Sequence, residues 1–503
     1  MNRKLLFLLL MLILSVCTEA RQQKPRLLVA SEQGIVGDGV TLNTDAIQQA
    51  IDRLSLQGGG TLRFTAGIYL TGGIVLKSGV ELLIDRGAVI SGSTNPDHYR
   101  SLIPSEARDN STMALIMANE ASDIAVTGSG LIDGNGRALA LTIDSLLNLP
   151  TAENPQGPRT RRRASEPLRP KLFFLSNCQN VRVEGLRLLN SACWGLSFHS
   201  CRQLEVQDIQ FENRAYWNND GIDITDCHDV VIRRCDINSA DDGICLKSYD
   251  TSSGNERVLI EDCQLRTSAS AIKFGTASWG GFRNITVRRI RVRDTFRSAI
   301  ALECVDGGQL QDVLVEDVHA TNTGNPIFVR LGHRAGDTTG VARRVTIRNV
   351  FAEMPFGIPD IDYDVRGPGF SVVNPRPSSI TGIPGHPVED ITLENIEIVY
   401  PGRASKGIYY YPLSQIHQVP EREHDYPEFS MFGELPSWGF YVRHVRGIRF
   451  HNIRLTLKDD DFRPAFVFDD VTGIDARRVS LPIRGSGMPY FAKDSQFIVN
   501  EIK

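Results

Sequence analysis

From about Lys171 the chain repeats itself. The segments "NCQNVRVEGLRLLNS", "SCRQLEVQDIQFENR", "DCHDVVIRRCDINSA", "NERVLIEDCQLRTS", "FRNITVRRIRVRDT" and "LQDVLVEDVHATNT" share one pattern. Each has alternating apolar residues, a polar break and a second short strand. They recur every ~22 to 28 residues, the spacing of a β-solenoid. Helical repeats would need apolar residues at a period of 3.6, and these runs alternate instead. A unit this short cannot bury its own apolar face, so neighbours must stack and share one core. Short strands bounded by Gly, Ser or Asp ("TLRF", "GIVL", "VELLI") extend the pattern upstream. The expected fold is all-β, a right-handed parallel β-helix.

One helix precedes the strands, in "GDGVTLNTDAIQQAIDRLSLQGGG". Asn43 or Thr44 can cap it, and Ala46, Ile47, Ala50, Ile51 and Leu54 form one apolar stripe. Gly58 to Gly60 end it. It reads as a short N-terminal cap on the solenoid. The first 20 residues have a basic start at Arg3 and Lys4, an apolar run from Leu5 to Val16 and a small-residue ending at Thr18-Glu19-Ala20. That is the pattern of a secretory signal peptide, so the expected destination is secreted or periplasmic. Cys17 would be the lipoprotein anchor, but Val16 before it fits that role poorly. Residues 21–503 then read as one β-helix domain with long C-terminal loops. No later segment is apolar enough to span a bilayer. The formal charge of −4 over 503 residues argues against nucleic acid as a partner. The Cys residues lie inside strand patterns such as "VIRRCDI" and "LIEDCQL", as small buried hydrophobes do, without zinc spacing.

A second set of strands lines up between the repeats: "WGLSFH", "DGIDIT", "DGICLK", "SAIKFG", "SAIALE" and "NPIFVR". In each, the third and fifth residues are apolar and face the core, so the fourth and sixth face outward. The fourth column is Ser197, Asp223, Cys245, Lys273, Ala301 and Phe328. The sixth is His199, Thr225, Lys247, Gly275, Glu303 and Arg330. The first is Trp194, Asp220, Asp242, Ser270, Ser298 and Asn325. Asp220 should therefore stack beside Asp242, with Asp241 one step before it. Coils are ~4.8 Å apart, and carboxylates that close push at least one pKa upward. Such an arrangement can hold one acid protonated beside bases.

An Asp before Gly is commonly a turn residue. Two such motifs at equivalent positions on consecutive coils, with an extra Asp, favour chemistry. Calcium is the bland alternative for an acidic cluster, but it needs six to eight oxygens. Lys247, Lys273, Arg330, Asp223 and His199 flank the cluster and are candidates for binding substrate; solvated strand-face charge is the plainer reading. The run "RTRRR", Arg159 to Arg163, lies in a polar insert between about Thr142 and Pro170 and reads as a solvated loop. The aromatics of Gly407–Val445, among them Tyr409 to Tyr411, Tyr426, Phe429 and Trp438, either stack on sugars or cap the solenoid.

The chain resembles glycoside hydrolase family 28, the polygalacturonase and rhamnogalacturonan hydrolase family. The resemblance covers nearly all of residues 21–503, and two motifs carry it. Asn218-Asn219-Asp220-Gly221 matches the family's Asn-Thr-Asp motif, and Asp241-Asp242-Gly243 follows it. The family hydrolyses glycosidic bonds with inversion. By that resemblance Asp241 is the general acid, while Asp220 and Asp242 hold and deprotonate the attacking water, with no metal or cofactor. Two positions depart from the family pattern. Its Gly-His-Gly motif falls on Ala269-Ser270-Ala271, and its Arg-Ile-Lys motif on Ala301-Leu302-Glu303. In polygalacturonases those cations contact galacturonate carboxylates, and here Glu303 would repel one. Lys273, one coil earlier, and Arg330, one coil later, offer relocated cations. The expected substrate is a uronate-containing pectic glycan, with galacturonate–rhamnose linkages as the best fit. The rivals are a calcium-dependent polysaccharide lyase and a noncatalytic glycan-binding β-helix. The C-terminal loops are expected to close one end of the groove and make the action exo.

Overall fold

The computed structural model describes residues 26–503, apart from 104–110, 150–166, 361, 364–373, 408–410 and 483–486. The signal-peptide segment with Cys17, the run Arg159 to Arg163, and Tyr409 and Tyr410 lie outside the described residues.

The chain winds as a right-handed parallel β-helix. Each complete coil contributes three strands, and each strand pairs in parallel with its counterparts on the coils before and after. Leu196–His199, Arg202–Gln207 and Gln210–Asn213 form one coil. They pair in register with Ile222–Thr225, His228–Arg233 and Asp236–Ser239 of the next. Alternation supplies the core: Leu196, Phe198, Leu204, Val206 and Phe211 point inward and are buried, as are Ile222, Ile224, Val230, Ile232 and Ile237. From Gly281 the three strands of a coil run on as nearly continuous strands, Gly281–Cys304 and Gln309–Leu331.

The corners need left-handed backbone. Asp208, Arg234, Asp262 and Arg289 occupy one such corner on four consecutive coils, with φ from 52° to 55°. Asp tolerates that region, and Arg does so at a cost. Here each Arg is tied by two bonds to the Asp one coil earlier: Arg234 to Asp208 at 2.7 and 2.6 Å, Arg289 to Asp262 at 2.7 and 2.8 Å. All eight described cysteines are free and buried, consistent with small core residues.

The N-terminal helix, Thr44–Leu56, packs Ile47, Ala50, Ile51 and Leu54 against the first coils. Neither expected cap bonds to its free N–H groups. The Asn43 side chain instead ties the preceding loop, accepting from Val36 N at 2.7 Å and donating to the carbonyls of Val36 and Thr41. Thr44 accepts from Gly72 N at 2.8 Å. A second helix, Gly136–Leu147, was not anticipated; it occupies the start of the expected polar insert and buries Leu139, Ala140 and Ile143. Its length of 12 residues left a short apolar stripe beside a polar stretch.

The first position after the corner leading to the Asp-bearing strands is Gly195, Gly221 and Gly243. A Cβ on Gly221 would lie 2.3 Å from the Gly243 carbonyl oxygen and 2.7 Å from Ile237 Cγ2. Gly221→Ala should therefore cost about 1 to 3 kcal/mol through overpacking. The check is a lower thermal unfolding midpoint; an unchanged midpoint would show that the coils can spread at this point.

Candidate active site

The turn that delivers Asp220 is held from beneath. Asn219 donates to the Ser191 and Cys193 carbonyls at 2.8 and 2.6 Å and to Ser191 Oγ at 3.0 Å. Asn213 donates to the Asp220 carbonyl at 2.7 Å. Arg169, buried at the end of the polar insert, donates to the Ala192 and Trp217 carbonyls at 2.7 and 2.6 Å and to Asn218 Oδ1 at 3.1 Å. On the next coil, Asp241 N donates to the Asn219 carbonyl at 3.1 Å. The Asp241 carbonyl accepts from Ser239 Oγ at 2.7 Å and from Thr267 Oγ1. Backbone bonds then stack the first column. Gly221 N donates to Asp242 O and Gly243 N to Ser270 O, both at 2.8 Å.

Asp220, Asp241 and Asp242 meet as the columns require, with one oxygen from each within 4.8 Å of the others. Lys247 Nζ lies 3.4 Å from Asp220 and also pairs with Asp223. Lys273 Nζ lies 3.1 Å from Asp242. The Ser270 backbone N–H donates to Asp242 at 3.1 Å. Burial, reinforced by the Asp223 charge, pushes the Asp220 carboxyl well above the usual range despite Lys247. Burial acts the same way on Asp242, but Lys273, Arg297 and Lys247 outweigh it and hold that carboxyl low. Burial would lower both lysines, yet Asp223 beside Lys247 and Asp242 beside Lys273 keep them firmly charged. Two carboxyls on adjacent coils are thus pushed apart in acidity.

The three carboxylates line a cavity of about 830 Å³ together with Trp194, Lys247, Tyr249, Lys273 and Arg297. The C-terminal loop adds Arg422, Asp425, Tyr426, Glu428, Ser430 and Met431. Tyr426 OH accepts from Lys273 at 3.1 Å, and Glu428 pairs with Arg297 at 3.0 Å. These two contacts bring the loop down beside the carboxylates. Beyond them the loop fills the groove. Ile416, Val419, Phe429, Phe432 and Leu435 pack on Ala301, Phe328, Tyr441 and Val467, which are outward residues of the following coils.

The other expected binding residues fall elsewhere. Asp223 is fully buried behind Lys247 and does not line the cavity. His199 bonds Ser197 Oγ at 3.1 Å and meets Phe174 edge-on, also outside the cavity. Arg330 is buried beneath the loop, where it donates to the carbonyls of Gly382, Glu421 and Arg422 at 2.8, 2.7 and 3.1 Å. It anchors the loop that walls the cavity. Glu303 is buried behind Gly275 with Oε2 unpartnered among the described residues. Burial pushes its carboxyl up to about 8, with Lys273 opposing only in part. Burial favours its neutral form, and it does not line the cavity. Phe429 and Trp438 are core packing, whereas Tyr426 stands exposed at the rim.

The model of the "Glycosyl hydrolases family 28" matches residues 69–417. The chain belongs to this family. A "Probable polygalacturonase" of Vitis vinifera is 26% identical over 406 residues, 74% of each chain. An "Exo-poly-alpha-D-galacturonosidase" of Dickeya chrysanthemi is 28% identical over 253 residues, 44% of this chain and 42% of its own. Among solved structures, an exopolygalacturonase from Thermotoga maritima superposes with a TM-score of 0.58 at 23% identity, covering 74% of this chain and 87% of its own. Membership makes the protein a glycoside hydrolase and sets aside the lyase and noncatalytic readings. The family 28 carboxylates also compare poorly with a calcium site. Calcium needs six to eight oxygens, and the ammonium groups of Lys247 and Lys273 already occupy the flanks of the cluster.

Arg297, Glu428, Arg422 and Asp425 escaped the sequence reading. Arg297 lies outside the alternating columns, at a register shift between Thr295 and Ser298. The others sit on a loop whose course no strand pattern encodes.

Asp241→Asn should leave the fold intact and lower the turnover rate by ~10² to 10⁴, the usual worth of a general acid. Near wild-type turnover by the purified variant would reject the assignment. Glu303 gives a pH prediction for stability. Its carboxyl titrates near 4.5 when unfolded and near 8 when folded. Between those values the folded state binds more protons, so stability falls as pH rises. Glu303→Gln removes that proton uptake. The variant's unfolding midpoint should therefore fall less than wild type's from pH 5 to 8, and a midpoint difference that stays constant with pH would refute this.

Proposed function

We propose that this protein is an exported, inverting hydrolase that removes sugar units from the ends of uronate-containing pectic glycans. The observation that carries the reading is a cavity holding three carboxylates and matched cations, closed on one side by the loop packed on Ala301, Phe328 and Tyr441. A chain cannot run on through that plug, so a terminus must enter. Asp241 donates a proton to the leaving oxygen. Asp242, held ionised, takes the proton of the attacking water, which Asp220 on the adjacent coil helps to position. The carboxylate oxygens come closer than the ~6.5–9.5 Å customary between acid and base in inverting glycosidases. Inversion is supported instead by the number of carboxylates: two are available to hold a water while a third donates.

The uronate class is supported by the basic groups of the cavity and by the names of the relatives. The expected galacturonate–rhamnose preference relied on Ala301 and Glu303 flanking a sugar, and neither lines the cavity. Galacturonate oligomers are therefore the first substrates to test, with rhamnogalacturonan oligomers beside them. Residues 1–20 support export by their composition.

The test is timed product analysis on oligomers of defined length. Single units should appear from the first turnover, and proton NMR should show the inverted anomer first. Early products from mid-chain cleavage would overturn the end-acting reading, and a retained anomer would overturn inversion.

A further inference from the structure

The cavity holds five cations; three are committed to buried carboxylates, and a fourth, Arg422, lies out at the rim where water screens it. Lys247 serves Asp223 and Asp220. Lys273 is buried against Asp242 and Tyr426 OH. Arg334 grips Asp306 with two nitrogens, at 2.9 and 2.7 Å. Arg422 stands half-exposed at the rim, paired with Asp425 at 3.1 Å. Arg297 differs. Its side chain makes one ion pair, Nη1 to Glu428 Oε2 at 3.0 Å, and its buried Nε has no partner among the described residues.

The backbone explains how it reaches the site. Thr295 pairs with Thr323 and Ser298 with Asn325, so Phe296 and Arg297 together oppose the single residue Gly324. Such a bulge re-aims a side chain. Arg297 N is fixed by the Ala269 carbonyl at 3.0 Å, on the coil that also carries Lys273. The guanidinium lines the cavity with Asp241 and Asp242. The Nε is buried, which leaves Nη2 and the second Nη1 hydrogen as a planar edge that can bind a carboxylate through two parallel bonds.

We propose that Arg297, aimed by the bulge and steadied by Glu428, is the specificity-determining residue that reads the carboxylate of the terminal uronate. The proposal rests on the pectic reading above and supplies the cation that Ala301 and Glu303 do not.

The experiment compares wild type, Arg297→Ala and Arg297→Lys on galacturonate oligomers and on their carboxyl-reduced, galactosyl counterparts. Calorimetric binding of galacturonate and of galactose is measured in parallel. Losing a charge-assisted bond should lower kcat/KM on the acid roughly ten- to hundredfold, mainly through KM, with a clearly smaller loss on the neutral sugar, carried by kcat because Arg297 also helps hold Asp242 ionised. Arg297→Lys should retain part of the preference, since it keeps charge and loses the fork. Binding should lose its discrimination between the two sugars in Arg297→Ala. An equal loss on acidic and neutral substrates would overturn the proposal, because Arg297 would then act only through Asp242 or the loop. So would no loss at all, or a wild type that binds galacturonate no better than galactose. A wild type that binds galacturonate selectively but cleaves no pectic oligomer would refute the hydrolase reading alone, and the binding arm would still judge Arg297.

Discussion

Backbone hydrogen bonding between coils fixes almost everything at this site. A parallel ladder sets neighbouring coils ~4.8 Å apart and lets no strand slide without turning its core residues outward. Asp220 and Asp242 occupy the same position on consecutive coils because Gly221 N must reach the Asp242 carbonyl. The glycines at 221 and 243 allow this approach. Once the ladder is set, the carboxylates cannot separate to relieve their repulsion. The sequence must answer with charge on the neighbouring columns, and Lys247 and Lys273 are that answer. Both stand on strand positions paired in register with the coil before, next to the acids they neutralise.

The two lysines do not neutralise evenly. Lys247 divides its charge between Asp223 and Asp220, whereas Lys273 meets Asp242 with the Ser270 N–H bonding the same carboxylate. Asp220 is therefore pushed toward the protonated form and Asp242 toward the ionised one. Burial weighs on both carboxyls; what separates them is Asp223 beside Asp220 on one side, and Lys273, Arg297 and the Ser270 N–H around Asp242 on the other. Asp223 does not line the cavity, yet it reinforces the effect of burial on a residue that does.

The fold and the carboxylate cluster were legible because both depend on local periodicity. Strand alternation assigned the faces, and counting along equivalent strands placed Ser197, Asp223, Cys245, Lys273 and Ala301 in one column, the register observed. The sixth column held only in part, since the ladder shifts between Leu246 and Ser248 and breaks the match of Lys247 with Gly275. What alternation could not say was which outward residues meet solvent. Arg330 and Phe328 point outward from their strands and are buried all the same, because a loop from more than 80 residues later lies on them, and Glu303 is enclosed behind Gly275. Arg297 was hidden for a related reason: a bulge breaks the period of two on which the columns rely.

That loop also accounts for the departures from the family pattern. The family's Arg-Ile-Lys cations fall at Ala301 and Glu303, and such cations are useful only where a sugar lies against them. Here Ala301 packs under Ile416 and Phe429 in an apolar cluster, and Glu303 is enclosed behind Gly275. A guanidinium at position 301 would be buried among apolar side chains with nothing to bind. Arg330 fits the same logic, since a cation in the outward column of the next coil is used to hold the carbonyls of Glu421 and Arg422 and so to fix the plug. Positive charge for a substrate must then come from the near side of the plug, where Arg297 and Glu428 meet.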